Sequence, residues 1–393
     1  MPRPLYRPSI RAALGADAPA STTFWLVNFA SADPSDPAND ELATASLLAT
    51  GTNCLIYVDI ATDTVMPATA AAQVASWFDG IYATLATACT DGITFPPEGN
   101  VDAQPRIALF VTHQINRGVT GPLATLGYFN PRDKNAAQTH SNGTEILYFW
   151  DKAFEDPDDF KGIMAHELQH MMYHTQKGPE GNQGSTWLDE GLSVWAQQVV
   201  GYGFSQGMAT PVDQVRAYLK APQGTSLNHW SDTGIESYGM SYLFVEYLFE
   251  RCGGYNAIRR LERKNGAIGF PDVSANVLSL AATAPADLKD FMQQYGLAMY
   301  CDGLGLPTAL PNHRPDLYQF TPFDLRKGIA GISGLKHLTF NENPVTNQGF
   351  GIKGYGFDVL EYVTGNGGDL EWTLVSTPTP DFQIWVLYYQ NTN

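Results

Sequence analysis

The chain has 393 residues, of which 44% are hydrophobic and 16% are charged, and its formal net charge is −17. Such a surface repels phosphate backbones and anionic lipid headgroups, so nucleic acid and membrane surfaces are unfavourable partners. No apolar run approaches the roughly 20 residues that a membrane-spanning helix needs. The length predicts two or three domains with ample apolar material for a core.

The composition also bears on location and on the cysteines. Lys and Arg are scarce, which is typical of exported proteins, and no apolar run follows the basic start of the chain. Either the protein is cytoplasmic or a leader has been removed, and the composition favours a secreted, extracellular protein whose leader is not present in this chain. The four cysteines lack metal-type spacing. We expect the pairs Cys54–Cys89 and Cys252–Cys301, with buried thiols as the alternative.

Residue patterns divide the chain into three parts and predict the α+β class. Residues 1–157 read as a sheet with one Ala-rich helix, and residues 158–305 as mainly helical. Residues 306–393 read as a small all-β domain. The predicted strands are 24–29, 54–59, 106–112, 127–129, 145–150, 354–362, 370–375 and 382–389. The predicted helices are 70–88, 158–176, 186–200, 212–220, 235–251, 256–264 and 286–300.

The segment from His166 to His170 has the pattern His-Glu-x-x-His within a predicted helix. Positions i and i+4 share one helix face, about 6 Å apart along the axis, so both imidazoles can turn toward one ion. Two neutral imidazoles suit zinc, and the intervening Glu167 suits a general base. The sequence therefore predicts a catalytic zinc site. The alternative is a core helix with two incidental histidines.

A catalytic zinc site typically needs a third protein ligand. His174 lies eight residues from His166, about 12 Å along the axis, which is too far for a shared ion. The block Trp187-Leu188-Asp189-Glu190-Gly191-Leu192-Ser193 begins the next predicted helix, and an antiparallel return would bring its acids opposite the histidines. By sequence alone either Asp189 or Glu190 could ligate, and we prefer Glu190. The acid that does not ligate would be a carboxylate favoured by the helix dipole.

These motifs resemble the gluzincin zinc peptidases, and among them the hyicolysin family of secreted bacterial metalloendopeptidases. The likeness rests on the two blocks above and on Ser237-Tyr238-Gly239-Met240-Ser241-Tyr242-Leu243-Phe244-Val245, and it is specific over about residues 145–250. It implies a zincin-like fold with His166, His170 and Glu190 as zinc ligands. It also implies Glu167 as general base. Tyr238 is the implied oxyanion stabiliser, with Tyr242 as the competing choice and a packed aromatic as the alternative for either.

The sequence departs from two related classes of zinc peptidase. A metzincin would need Gly at position 173 and His at position 176, where this chain has Tyr173 and Gln176. The aminopeptidase branch of the gluzincins carries a Gly-x-Met-Glu-Asn segment, which this sequence lacks. The resemblance therefore implies a zinc-dependent endopeptidase that hydrolyses internal bonds of protein or peptide substrates. The segment Gly127–Phe129 is predicted either to pair with extended substrate or to form an ordinary loop.

Three further possibilities stay open. An acidic cluster before the zinc helix could bind Ca²⁺, or it could simply form a solvated helix start with Asp158 or Asp159 as cap. Its members are Asp151, Glu155, Asp156, Asp158 and Asp159. The chain could also be an extracellular binding or adhesion protein, whose β domain recognises glycan or protein and whose zinc site is structural or degenerate. A nonpeptidase zinc hydrolase would share the same ligands.

Overall fold

A computed structural model describes most of the chain. The described residues are 18–61, 64, 66–90, 105–120, 124–178, 185–230, 234–305 and 316–336, with the backbone of 338–341 and 360–363. Helices and a mixed sheet occur together, which is consistent with the predicted α+β class. None of the described helices is both long and apolar enough to cross a membrane.

A mixed sheet organises the first part of the chain. Within the described residues its strands are β1 (Ser21–Leu26), β2 (Glu41–Thr50), β3 (Cys54–Asp59), β4 (Ile107–Thr112), β5 (Gly127–Phe129) and β6 (Ile146–Trp150). They lie in the order β1-β2-β3-β4-β6-β5. Strands β3, β4 and β6 are parallel, while β1, β2 and β5 pair antiparallel with their neighbours. The short β5 therefore lies at one edge of the sheet.

The central strands are apolar because both faces of the sheet are covered. In β4, Leu109 and Val111 belong to a large core that extends into α1 and α2, whereas Ala108 and Phe110 belong to a smaller core on the opposite face. Continuous apolar runs such as Ile107–Thr112 are typical of strands buried on both sides. Such apolar runs in the sequence predicted β3, β4 and β6.

The helices follow the predicted order closely. They are α1 (Ala68–Cys89), α2 (Pro157–Lys177), α3 (Thr186–Val199), α4 (Ala209–Lys220), α5 (Glu236–Arg251), α6 (Tyr255–Glu262), the short α7 (Phe270–Asp272) and α8 (Leu288–Cys301). The close approach of α3 to α5 depends on Gly191, because a Cβ there would lie 2.8 Å from the backbone oxygen of Ser241. This packing fixes the first turns of α3 against the helical half of the chain.

The expected disulfides are not formed. All four cysteines lie in described segments, and each is a buried thiol, so the pairing was wrong and the alternative holds. Cys54 Sγ lies 3.8 Å from the backbone oxygen of Ala75, early in α1, whereas Cys89 ends that helix. The 14 steps from Ala75 to Cys89 correspond to about 21 Å of helix, far beyond the reach of one disulfide.

The segment after α8 packs against the helices. The backbone N–H of Lys336 donates to Leu219 O at 2.8 Å, and the Tyr247 hydroxyl donates to Leu317 O at 2.8 Å. Two short strands, β7 (Leu338–Asn341) and β8 (Leu360–Val363), pair in parallel. The strands predicted at 370–375 and 382–389, and most of the one at 354–362, lie outside the described residues. The three-part division and the small β domain therefore stay predictions.

Candidate metal centre

Helix α2 carries the two histidines of the His-Glu-x-x-His pattern. Its N-terminus is capped by Asp156, whose carboxylate accepts hydrogen bonds from the backbone N–H groups of Asp158 (3.1 Å) and Asp159 (3.2 Å). The expectation that Asp158 or Asp159 would be the cap was wrong, because Pro157 occupies the first helical position and the helix begins one residue earlier. The partly exposed His166 and His170 lie one turn apart.

Helix α3 brings Glu190 to the two imidazoles. The Nε2 atoms of His166 and His170 are 3.1 Å apart. Glu190 Oε2 lies 3.2 Å from His166 Nε2 and 3.5 Å from His170 Nε2. The predicted ligand set therefore converges on one point, with all ligand atoms within 4.8 Å of one another.

The dimensions of this triangle fit a small cation. Ligand atoms that surround a tetrahedral ion at about 2.0–2.1 Å are separated by about 3.3 Å, close to the three distances found. Glu190 Oε2 is buried and receives no well-directed hydrogen bond. A buried carboxylate oxygen without a donor is costly, and a cation at the centre of the triangle would remove that cost.

The electrostatics of the centre favour bound positive charge. Burial by itself would raise the pKa of the Glu190 carboxyl, but the imidazoles of His170 and His166 outweigh it and lower this pKa to about 2. Burial likewise opposes protonation of His170, yet the carboxylates of Asp189 and Glu190 raise its pKa well above the ordinary value.

Asp189 does not belong to the ligand triangle. Its Oδ1 atom lies 2.9 Å from His170 Nδ1, on the side of the ring that faces away from Glu190 and His166. Of the two acids, the structure brings the preferred Glu190 to the centre and places Asp189 behind the imidazole of His170. Carboxylates in that position commonly orient metal-binding histidines.

Glu167 lies between the two histidines in α2 and is 6% exposed. Burial raises the pKa of its carboxyl, while the neighbouring imidazoles of His166 and His170 lower it and the acids Glu190 and Asp189 raise it again. The Glu167 carboxyl therefore interacts electrostatically with both histidines and both acids of the centre. Its net pKa lies above the ordinary value, toward the range in which a carboxylate can accept a proton effectively.

The two tyrosines of α5 differ in their surroundings. Tyr238 is half-buried, and its ring packs edge-on against Trp230 at 4.8 Å between centroids. Tyr242 is fully buried with its ring close to Phe204, and burial raises the pKa of its phenol well above the usual range. Tyr238 is thus the more accessible of the two.

The other candidate ligands lie apart from this centre. His174 packs against the ring of Phe129 at 5.6 Å. Within the described segments, His166, His170 and Glu190 form the one group of three metal-binding side chains that converges this closely. In the acidic cluster, Asp151 pairs with His113 at 2.9 Å and Asp158 with Lys161 at 2.7 Å, while Asp156 caps α2. The structure therefore gives no support to the calcium hypothesis.

Some backbone N–H and C=O groups of the edge strand β5 point away from the sheet. The N–H of Trp150 donates to Leu126 O at 2.9 Å, and Tyr128 lies directly opposite Tyr148 in β6. Because hydrogen-bonded pairs alternate along an antiparallel ladder, Tyr128 bonds inward, while the backbone groups of residues 127 and 129 point to the open edge. Of the two alternatives that the sequence leaves open at 127–129, an edge strand and an ordinary loop, the structure has the strand.

Strand β5 runs beside α2. A Cβ at Gly127 would lie 3.0 Å from Ile163, and the ring of Phe129 is the one that contacts His174, so the strand follows α2 past the histidines. A cavity of about 740 Å³ continues from the Phe129 end of the strand. Its lining includes Pro37, Pro131, Arg132, Lys134 and His174.

Comparison with known proteins adds no relative. No protein-family model matches the sequence, and no curated protein matches it closely enough to indicate kinship.

Proposed function

We propose that this chain is a zinc-dependent endopeptidase of the gluzincin type, with a zincin-like fold, similar to the hyicolysin family. The observation that carries the proposal is the triangle of His166, His170 and Glu190, whose sides of 3.1, 3.2 and 3.5 Å match a tetrahedral ion. Two imidazole nitrogens and one carboxylate oxygen are a typical catalytic zinc set, which leaves one position open. Bound there, zinc would supply Lewis acidity, by activating a water at neutral pH and polarising a substrate carbonyl.

The side chains around the triangle have distinct roles in this mechanism. The Glu167 carboxylate accepts a proton from the attacking water and later delivers it to the nitrogen of the leaving amine. Tyr238 donates its phenolic hydrogen to the oxygen on which negative charge develops. The accessibility of Tyr238, compared with the buried Tyr242, supports this choice.

An extended peptide is the substrate that suits the edge of the sheet. The outward backbone groups of Gly127 and Phe129 can pair with such a peptide beside the histidines. A peptide antiparallel to β5 would place the side chains before the scissile bond near the 740 Å³ cavity. Because Arg132 and Lys134 in its lining are paired with Asp40 and Glu145, we expect little selection for charge in this cavity.

The lack of a Gly-x-Met-Glu-Asn segment favours cleavage of internal bonds over removal of N-terminal residues. Partners are therefore protein or peptide substrates, while nucleic acid and membrane surfaces remain disfavoured by the charge of −17. Export from the cell, inferred from composition, is part of this proposal.

Cleavage of an unstructured protein such as casein tests the proposal. We expect cleavage at internal bonds, its loss on treatment with a zinc chelator, and its return with added Zn²⁺. The variant Glu167→Gln should keep its zinc and lose activity by at least about 100-fold, because the amide cannot accept the proton. Glu155→Gln, an exposed acid outside the centre, is the matched control and should cleave normally. Neither zinc nor cleavage in the unaltered chain would favour the binding or adhesion alternative.

A further inference from the structure

The Nδ1 atom of His170 faces two acceptors on α3. Asp189 Oδ1 lies 2.9 Å away and Ser193 Oγ lies 3.1 Å away. These two residues are four positions apart and so share one helix face, and Ser193 Oγ also lies 3.0 Å from the backbone oxygen of Asp189. Two side chains from one turn of α3 therefore contact the Nδ1 side of the His170 imidazole.

From Ser193 a chain of hydrogen bonds continues into the core. The Ser193 hydroxyl donates to Gln169 Oε1 at 2.7 Å, and Gln169 Nε2 donates to Glu262 Oε1 at 2.9 Å. The other Glu262 oxygen accepts from Gln176 Nε2 at 2.8 Å. Gln169, Ser193 and Glu262 are each 0% exposed, so water does not compete for these bonds.

The amide donors give this chain its direction. Both oxygens of Glu262 accept from side-chain amides, those of Gln169 and Gln176, so the Gln169 oxygen is turned toward Ser193. Ser193 has a single hydroxyl proton, which goes to that oxygen, so a lone pair is left facing His170. Asp189 presents a second acceptor. His170 must then carry its proton on Nδ1, which leaves the lone pair of Nε2 directed into the metal centre.

We propose that Glu262 is a positioning residue of the metal centre, which fixes the tautomer of His170 through Gln169 and Ser193. Glu262 lies in α6, 92 positions after His170 in the sequence, and outside both ligand blocks. If the chain of bonds were reversed, Ser193 would present its proton to Nδ1 and oppose Asp189, so the tautomer that leaves Nε2 free for the ion would be held less firmly. This inference rests on the proposed metal-binding function of the centre.

Zinc affinity, measured with Zn²⁺ itself by competition with a chelator on the full chain, tests the proposal. Ser193→Ala removes one link, while Glu262→Gln keeps the size of the side chain but sets an NH₂ group against one of the two amide donors. Each should weaken zinc binding by about tenfold, the lower end of what outer partners of metal ligands contribute. Asp158→Asn makes the same carboxylate-to-amide change at an exposed site in α2, and its affinity should stay within about twofold of the unaltered chain.

The double variant Ser193→Ala/Glu262→Gln separates a relay from two independent effects. If both residues act through one chain, the double variant should bind zinc about as weakly as the weaker single variant, whereas multiplied losses would overturn the proposal. In the cobalt-substituted chain, Glu262→Gln should also shift the visible absorption bands, which a general loss of stability would not do. An unchanged spectrum or an unchanged zinc affinity would overturn it.

These measurements distinguish a failure of the proposed endopeptidase function from a failure of this inference. A chain that binds zinc with these relative affinities but cleaves no peptide would contradict the endopeptidase and support this inference. If the chain cleaves casein but Glu262→Gln binds zinc as tightly as the unaltered chain, the endopeptidase is supported and this inference is contradicted. An unaltered chain without zinc affinity would refute both.

Discussion

Lys177, in the last turn of α2, ties the helix that carries the histidines to the segment after α6. Its Nζ atom lies 2.5 Å from Asp272 Oδ2 and donates to Arg263 O at 3.0 Å and Asn265 Oδ1 at 3.1 Å. The side chains of Lys177 and Asp272 are 2% and 0% exposed. Lys177→Met keeps most of the apolar stem and removes the charge, so it isolates the contribution of the buried pair.

The expected loss of stability in Lys177→Met depends on the hydrogen bonds that Asp272 retains. Removal of one partner from a buried ion pair costs about 3–5 kcal/mol, because the other charge is left buried alone. Asp272 Oδ1 still accepts hydrogen bonds from Asn265 (2.8 Å) and Asn276 (2.7 Å), which places the expected loss near the lower limit, about 3 kcal/mol. That is a large share of the roughly 5–15 kcal/mol by which a domain is stable.

Equilibrium unfolding in urea measures this loss. Lys152→Met, which breaks the exposed pair with Glu155, is the control and should cost less than about 1 kcal/mol. Adding Asp272→Asn to Lys177→Met removes the orphaned charge and should recover most of the stability. A cost below about 1 kcal/mol for Lys177→Met, or no recovery in the double variant, would refute the reasoning.

Two further predictions concern a buried acid and two glycines. Burial raises the pKa of the Glu246 carboxyl to about 8, so its contribution to stability is complete below the ordinary pKa of 4.5 and is lost as the pH rises through 8. The urea midpoint should therefore fall with rising pH more steeply in the unaltered chain than in Glu246→Gln, and equal slopes would contradict this. Gly239→Ala should destabilise by about 1–3 kcal/mol, since its Cβ would lie 2.3 Å from Gln214 O. Gly80→Ala in α1 meets nothing within 4 Å and should stabilise by up to about 1 kcal/mol; the same sign for both glycines in thermal unfolding would count against the packing argument.

The core of the site was predictable because its signals are local. The spacing of His166 and His170 specifies one helix face, and the 19 residues before Glu190 leave room for an antiparallel return. Helix α3 does return against α2 and brings Glu190 to the histidines. The choice between Asp189 and Glu190 needed the structure, because neighbouring residues on a helix differ by about 100° in direction and the sequence does not give the rotation of α3.

Features that depend on distant packing were missed. Strand β2 was not predicted, because Glu41–Thr50 is rich in Ala and Leu and becomes a strand by pairing with β1 on one side and β3 on the other. The support of His170 through Gln169 and Glu262 joins residues 93 positions apart, and no motif spans such a distance. The disulfide prediction also failed because it depends on the packing of distant residues. The spacing of Cys54 and Cys89 in the sequence does not show how far apart the helix α1 holds them.

Elemental analysis of the dialysed protein shows whether His166, His170 and Glu190 hold one zinc ion. We expect one zinc per chain in the unaltered protein and its loss in Glu190→Ala, while Glu155→Ala, an exposed acid outside the triangle, keeps its zinc. No zinc in the unaltered chain, or full occupancy in Glu190→Ala, would show that these three residues do not form a zinc site.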